Sequence, residues 1–311
     1  MELSRRVGLC AVIGALVLRL GCSSLPQKLV EWLADPRVGQ LILFIETGRQ
    51  LSTQGVTQNH EAESAEPVFK TAMTFSEEDA DLVTLHSSSV KSADIPDLLT
   101  RPLSWNLFEN EPTVLIIHTH TSESYLNNGA YIEDGSYRTL DEEYNMLRVG
   151  QALKEELEKA GIGVIHDRTF HDYPSYNGAY THARESLANY LQQYPSIELV
   201  IDLHRDAISD SRGNQLSYTC DDAAQLMLVI GTNHEAWTEN MALAVKLQAR
   251  LQQLHPGICR PMTVRGQRFN QDLSTGAVLV EVGAAGNTLD QALASVPILS
   301  RAIIDLAQGT E

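Results

Sequence analysis

From Glu111 onward the chain alternates short, unbroken apolar runs with longer stretches in which apolar residues recur every three or four positions. Val114–Ile117 is the first run, and an all-apolar segment of that length suits a strand buried on both faces. Between Asp141 and Ala160, the residues Met146, Leu147, Val149, Leu153, Leu157 and Ala160 line one side of a predicted helix that Gly161 stops. Gly163–His166 predicts a short strand, and Tyr176–Tyr194 a second helix ended by Pro195. Glu198–Leu203 and Leu226–Ile230 read as strands. Asn233 is placed to cap a long helix carrying Trp237, Met241, Ala244, Leu247, Leu251 and Leu254. Ala277–Val282 is again a buried strand, and a last helical region from Thr288 is expected to break or kink at Pro297. Apolar strands alternating with amphipathic helices predict an α/β domain, a three-layer sandwich around a mostly parallel sheet. In such sheets functional groups gather at the carboxyl ends of the strands.

The first hundred residues have a different pattern. Arg5 and Arg6 precede an apolar run from Val7 to Leu18, and Arg19 is the only charge between Val7 and Leu25. This arrangement predicts an export segment over residues 1–25, retained as a single membrane anchor or removed as a signal. The arginines would stay cytoplasmic and the remainder would lie outside. Leu20, Gly21 and Cys22 partly match a lipoprotein cleavage site, with Arg19 standing where that site takes an apolar residue. Residues 26–50 hold two short apolar patterns, Leu29–Leu33 and Leu41–Ile45, split by Pro36, and are expected to form juxtamembrane helices. Residues 51–104 are dominated by Ser, Thr, Glu, Asp and Gln and read as a flexible polar tether with at most one transient helix. The expected folded domain is therefore 105–311.

Charge and cysteine content narrow the partners. A formal net charge of −17 argues against nucleic acid, whose phosphates call for Lys and Arg. Four cysteines occur without any C-x-x-C pair, which removes zinc ribbons and thioredoxin-like motifs. Cys220 and Cys259 are expected to be separately buried thiols, although an exported chain could oxidise them to a disulfide.

Three strand ends carry ligand-type residues: His118, His120 and Glu123 after the first strand, His204 and Arg205 after Leu199–Leu203, and Glu281 within Val278–Val282. If those strands are neighbours, these groups converge on one edge of the sheet. His120 and Glu123 form an H-x-x-E pair that one turn can present to a metal, and His204 supplies a third donor from another strand. Two His and one carboxylate with an open position is the layout of a catalytic zinc site. Glu281, flanked by Val280 and Val282, is costly to bury without a partner or a task and is the candidate general base. His118 is read as a core residue hydrogen-bonded to a backbone carbonyl or supporting a ligand. His166, His171 and His182 are read as rim residues rather than ligands. Arg205 and Asn270 are the candidates for binding an oxyanion or a substrate carboxylate.

At these residues the sequence resembles the stage II sporulation protein P family of endospore-forming bacteria. The resemblance lies in Ile117–Tyr125 (IHTHTSESY), Gly161–Tyr176 (GIGVIHDRTFHDYPSY), Val200–Ala207 (VIDLHRDA) and Asn270–Thr288 (NQDLSTGAVLVEVGAAGNT), with Phe44–Arg49 (FIETGR) similar to the family's juxtamembrane segment. It implies a membrane-anchored, extracytoplasmic peptidoglycan hydrolase with amidase and endopeptidase action in the septal space during engulfment. It also implies stage II sporulation proteins D and M as partners. The domain is further similar to zinc N-acetylmuramoyl-L-alanine amidases and zinc carboxypeptidases. In the amidases the carboxylate ligand comes from the start of the first helix, here Asp141 or a neighbour. In the carboxypeptidases it comes from H-x-x-E, here Glu123, which is preferred because no long loop has to fold back.

The expected mechanism follows from these assignments. Zinc held by His120, Glu123 and His204 would polarise the scissile carbonyl and acidify water, while Glu281 takes the proton and returns it to the leaving amine. Two alternatives use the same residues or none of them: a cell-wall carboxypeptidase with the same zinc site, and a metal-free peptidoglycan-binding scaffold.

Overall fold

In the computed structural model, residues 73–103, 105–126 and 137–308 are described. The export segment, the juxtamembrane helices and the first part of the tether lie outside the described residues. Among the described residues no helix is long and apolar enough to cross a membrane.

The strands in chain order are β1 (Leu85–Ser87), β2 (Val114–Ile117), β3 (Val164–His166), β4 (Leu199–Asp206), β5 (Thr219–Cys220), β6 (Ala223–Ala224), β7 (Leu226–Gly231), β8 (Met262–Arg265) and β9 (Ala277–Ala284). The helices are α1 (Ile95–Thr100), α2 (Met146–Lys159), α3 (Ala179–Gln193), α4 (Trp237–Leu254) and α5 (Leu289–Gln308). Seven strands form one sheet in the order β1-β8-β7-β9-β4-β2-β3, and β5 and β6 form a separate hairpin. Pairing is parallel throughout the large sheet except between β7 and β9, which run antiparallel. The sheet is thus two parallel blocks of opposite direction, and β9, β4, β2 and β3 all end on the same edge.

Side-chain alternation sends Val114, Ile116, Leu199, Ile201, Leu203, Val278, Val280 and Val282 into the main core, against apolar residues of α2, α4 and α5. Leu115, Ile117, Val200 and Ala277 face the other way and pack with Ala183 and Leu187 of α3. Helices therefore cover both faces, which is the expected three-layer arrangement. Asp202, His204 and Glu281 alternate in phase with Val200 and Ala277, so they share the α3 face.

Several boundaries differ from the sequence reading. α2 begins at Met146 rather than Asp141, because the Asn145 side chain accepts from the Leu147 N–H at 2.9 Å and caps the helix there. α4 begins at Trp237, with Ala236 rather than Asn233 at its cap. α5 runs unbroken through Pro297 for 20 residues, with Leu299, Ala302, Ile303 and Leu306 beyond the proline buried in the core. Core packing of the second half outweighs the loss of one N–H donor. β8 was not predicted; in its four residues, Met262 and Val264 are buried and Thr263 and Arg265 are not.

The largest correction concerns the tether. The chain divides between Pro67 and Val68 rather than near residue 104. From Met73 the chain forms a 3-10 helix at Glu77–Leu82, then β1, which extends the sheet beside β8, then α1. Phe75, Leu98 and Leu99 are buried in the main core. The buried Lys246 amine donates to the Leu98 carbonyl, and burial pushes its pKa down to about 8. The polar composition of this stretch concealed a few large apolar residues spaced too irregularly to give a periodic signal.

A chain beginning at residue 73 should therefore melt cooperatively, and one beginning at residue 105 should not. Losing three buried side chains of this size removes roughly 4–9 kcal/mol, at about 1.5–3 kcal/mol each, which is most of a typical domain's stability of about 5–15 kcal/mol. Thermal and urea melts of the two chains check this. Equal midpoints would show that residues 73–104 add nothing to the fold.

Candidate metal centre

The turn after β2 is built from buried polar residues, most of them with a partner. Thr119 donates its N–H and hydroxyl to the Asp202 carboxylate at 2.8 and 2.7 Å. The Thr121 hydroxyl lies 2.8 Å from the His118 carbonyl and 2.7 Å from the Thr169 carbonyl. The Ser122 hydroxyl donates to Asp172 at 2.6 Å. The Glu123 N–H returns to the His120 carbonyl at 3.2 Å, closing the turn that sets the two side chains side by side. Tyr125 then anchors the segment through its hydroxyl to the Val282 carbonyl at 2.9 Å.

This scaffold brings three of the predicted residues together. His120 Nδ1 lies 3.4 Å from Glu123 Oε1, and His204 Nδ1 lies 3.6 Å from Glu123 Oε2. One donor atom from each of His120, Glu123 and His204 falls within 4.8 Å of the other two. Tetrahedral bonds of about 2.0–2.2 Å put neighbouring ligand atoms about 3.3–3.6 Å apart, so this donor set is of the kind and spacing that could hold zinc. The other nitrogen of His204, Nε2, lies 2.8 Å from Asp202 Oδ1. That contact fixes the ring and leaves Nδ1 for the metal, as carboxylates behind metal-binding histidines do. His120 stacks on Tyr176 with centroids 4.5 Å apart and meets the edge of Tyr180 at 5.5 Å. Arg138 covers the Tyr176 ring at 4.0 Å.

Glu281 sits beside His204 in the sheet register. Its Oε2 is buried without a hydrogen-bond partner. Burial raises its pKa to about 8; Glu123 and Asp206 push the same way, and His204 and Arg205 oppose them. Burial also works against ionising Glu123, yet Arg205, His120 and His204 together hold that carboxyl well below the usual carboxylate range. Burial works against charging His204, but Asp202 and Glu123 outweigh it and hold the imidazole well above its usual value. These surroundings favour the protonated forms of His204 and Glu281.

The remaining candidates have other partners. The guanidinium of Arg205 is buried at 3% exposure. Its Nη1 lies 3.6 Å from Glu123 Oε1, its Nε donates to the Ser124 carbonyl at 3.0 Å, and its Nη2 donates to the Tyr137 carbonyl at 2.8 Å. The Asn270 amide donates to the Tyr180 carbonyl at 2.8 Å. Asp141 is exposed and accepts from the Glu143 N–H. His118 points to the other side of the sheet, where Nδ1 donates to the Leu203 carbonyl at 2.8 Å, as expected of a core histidine. Its Nε2 therefore accepts from His166 Nε2 at 2.8 Å. Burial keeps this pair neutral, lowering His118 to about 4. The pair fills the space a side chain at position 150 would need: a Cβ on Gly150 would come within 2.5 Å of His118 Nε2. His171 is buried and bound to Asp167 at 2.8 Å. A cavity of about 370 Å³ bounded by Arg101, Trp105, Ile197, Glu239, Lys246 and Gly276 lies toward the amino ends of β4 and β9 and shares no residue with the site.

The sequence reading missed Asp202, Asp172, Tyr176 and Tyr180. Asp202 was within reach, because residues two apart on one strand share a face and Asp202 precedes His204 by two. The two tyrosines carried no signal, since only tertiary packing brings α3 and the loop before it over His120.

The fold and site define a mixed α/β domain with a His–carboxylate–His cluster that could hold a metal ion and a buried Glu beside it at the strand ends. The profile of the family "Stage II sporulation protein P (SpoIIP)" matches residues 43–304, and the chain belongs to that family. Stage II sporulation protein P of Bacillus subtilis (strain 168) is 26% identical over 197 residues, covering 58% of this chain and 48% of that protein. The chain thus matches about half the length of this curated relative. Two solved structures give weak structural matches. N-acetylmuramoyl-L-alanine amidase AmiC2 of Nostoc punctiforme is 13% identical, with a TM-score of 0.38, over 63% of this chain and 94% of that one. An N-acetylmuramoyl-L-alanine amidase from Clostridium difficile 630 is 17% identical, with a TM-score of 0.40, over 64% and 95%.

A metal held here should displace protons, because the ligand form of His204 is neutral and a divalent cation favours ionised Glu281. Zinc affinity should rise with pH, by up to about tenfold per unit for each proton displaced, and at least one proton should leave per zinc at pH 7. Calorimetric titrations in buffers of different ionisation enthalpy measure that number. A binding heat independent of the buffer would contradict this proton release.

Proposed function

We propose that the chain is a zinc-dependent peptidoglycan hydrolase that cuts amide bonds, an N-acetylmuramoyl-L-alanine amidase with endopeptidase action, used in wall remodelling during sporulation. The observation that carries the reading is the convergence of His120, Glu123 and His204, with the unpartnered Glu281 carboxyl beside His204 in register. Family membership supports the sporulation setting. Zinc, when bound, supplies a Lewis acid that polarises the scissile carbonyl and acidifies water.

The chain's own groups do the rest. Glu281 Oε2 takes the proton of the attacking water and delivers it to the leaving amine nitrogen, so that one residue serves as base and then as acid. Arg205 holds Glu123 ionised and oriented, and Asn270 holds the carbonyl of Tyr180 in α3; both act by positioning. Tyr176 and Tyr180 wall His120 and would offer apolar faces to a sugar or stem-peptide residue. We further propose that residues 1–25 hold the domain at the outer face of the membrane, with stage II sporulation proteins D and M as partners.

Glu281→Gln keeps the shape of the site but cannot accept a proton. Zinc content should match the unmodified chain while turnover of purified peptidoglycan falls by at least about 10²-fold. Product analysis on intact glycan strands should show whole stem peptides released by the unmodified chain. Release of single terminal residues would instead identify a carboxypeptidase, and normal turnover by a correctly metallated Gln variant would remove Glu281 from the mechanism.

A further inference from the structure

A second group of ligand-type side chains lies outside this site. The hairpin β5–β6 turns at Asp221 and Asp222, which follow Cys220, and the turn rests against the end of α4, where His255 is the first residue past the helix. One donor atom each from Cys220, Asp221 and His255 falls within 4.8 Å of the other two. His255 Nε2 lies 3.3 Å from Asp221 Oδ2, yet this nitrogen is buried and makes no hydrogen bond. A ring nitrogen shielded from water beside a carboxylate and a thiol, without an aligned partner, is a donor left over by the protein's own hydrogen bonding.

We propose that Cys220, Asp221 and His255 form a second zinc site that clamps the β5–β6 hairpin to the end of α4. The donor chemistry favours this ion: a soft thiolate, an imidazole and one carboxylate suit zinc, whereas calcium and magnesium select oxygen alone. Three protein donors leave the fourth tetrahedral position for water. On binding, the Cys220 thiol gives up its proton and Sγ forms the metal bond; no oxidant or reductant is involved. Both thiols of the domain are free, so Cys220 is not committed to a disulfide with Cys259.

The surrounding segments hold the donors in place. Gln225 donates to the Gly257 carbonyl at 2.8 Å, and the Gly257 N–H donates to Gln252 of α4 at 2.9 Å, so the turn after α4 is tied to both partners of the clamp. Gly257 has a positive φ of 90°, and a Cβ there would press on Cys220 Sγ at 3.3 Å, so glycine leaves the sulfur its room. The hairpin in turn borders the end of β9: the Gly283 N–H donates to the Gln225 carbonyl at 2.8 Å, and Asn287 exchanges hydrogen bonds with Tyr218. An ion here would stiffen the strand that carries Glu281 without touching substrate.

The two sites differ in one chemical respect that makes them separable: only the second contains sulfur. Cobalt(II) added to the metal-free full-length chain should give a near-ultraviolet sulfur-to-cobalt charge-transfer band. Cys220→Ser should abolish the band, Cys259→Ser should leave it, and His204→Ala should leave it, because that residue serves the other cluster. His255→Ala should weaken cobalt and zinc binding at this site by more than about 100-fold, since removing a direct ligand exceeds the effect of removing its support. Zinc per chain should fall by one in Cys220→Ser, with peptidoglycan cleavage still measurable and the melting temperature lowered toward that of the chelator-treated protein. Absence of the band, or a band that survives Cys220→Ser, overturns the proposal. Loss of zinc from the His204 cluster with the band intact would count against the catalytic reading alone.

Discussion

A buried carboxylate has to be met by donors on every side, and Asp202 is met from two strands at once. Thr119, at the end of β2, gives it an N–H and a hydroxyl, and His204, two residues along β4, gives it a ring nitrogen. Burial alone would neutralise this group; His204 and Thr119 reverse that and keep it ionised. The same atom group therefore fixes the turn that carries His120 and Glu123 and aims the His204 ring at them.

The sheet supplies the second constraint. Two parallel blocks of opposite sense meet at the β7–β9 pair, so only β9, β4, β2 and β3 direct their carboxyl ends toward the site. β4 continues past the point where its apolar residues stop. His204, Arg205 and Asp206 remain in β4 because Glu123, Asp202 and Arg260 satisfy them. Pairing partners two residues apart on β4 then face residues three apart on β9, a bulge-type irregularity that falls where the Arg205 N–H turns to Glu123.

This explains what the sequence could and could not reveal. Val114–Ile117 and Leu226–Gly231 are continuous apolar strands, Ala277–Ala284 is interrupted only by Glu281, and their hydrophobic pattern located them. The short strands β1 and β8 have too few buried residues to leave a pattern, and Leu98 and Leu99 are the buried residues of α1. Among the site residues, those at strand ends were legible because chain direction and period place them. That Glu123 lies against the Arg205 guanidinium was not legible, because nothing in a linear sequence shows that contact. Tyr176 and Tyr180 come from the next βα unit, and their place over His120 depends on how α3 seats on the sheet.

Both outer strands of the large sheet, β1 and β3, are only three residues long. Such stubs blunt the margins of a sheet against unwanted pairing with other chains. They also limit how an extended peptide could be recognised, because a guest strand laid along either margin would find only one or two ladder bonds. A peptide handled by this domain has to be gripped across the strand ends by side chains, so sequence preference would be written in the loops rather than in main-chain pairing.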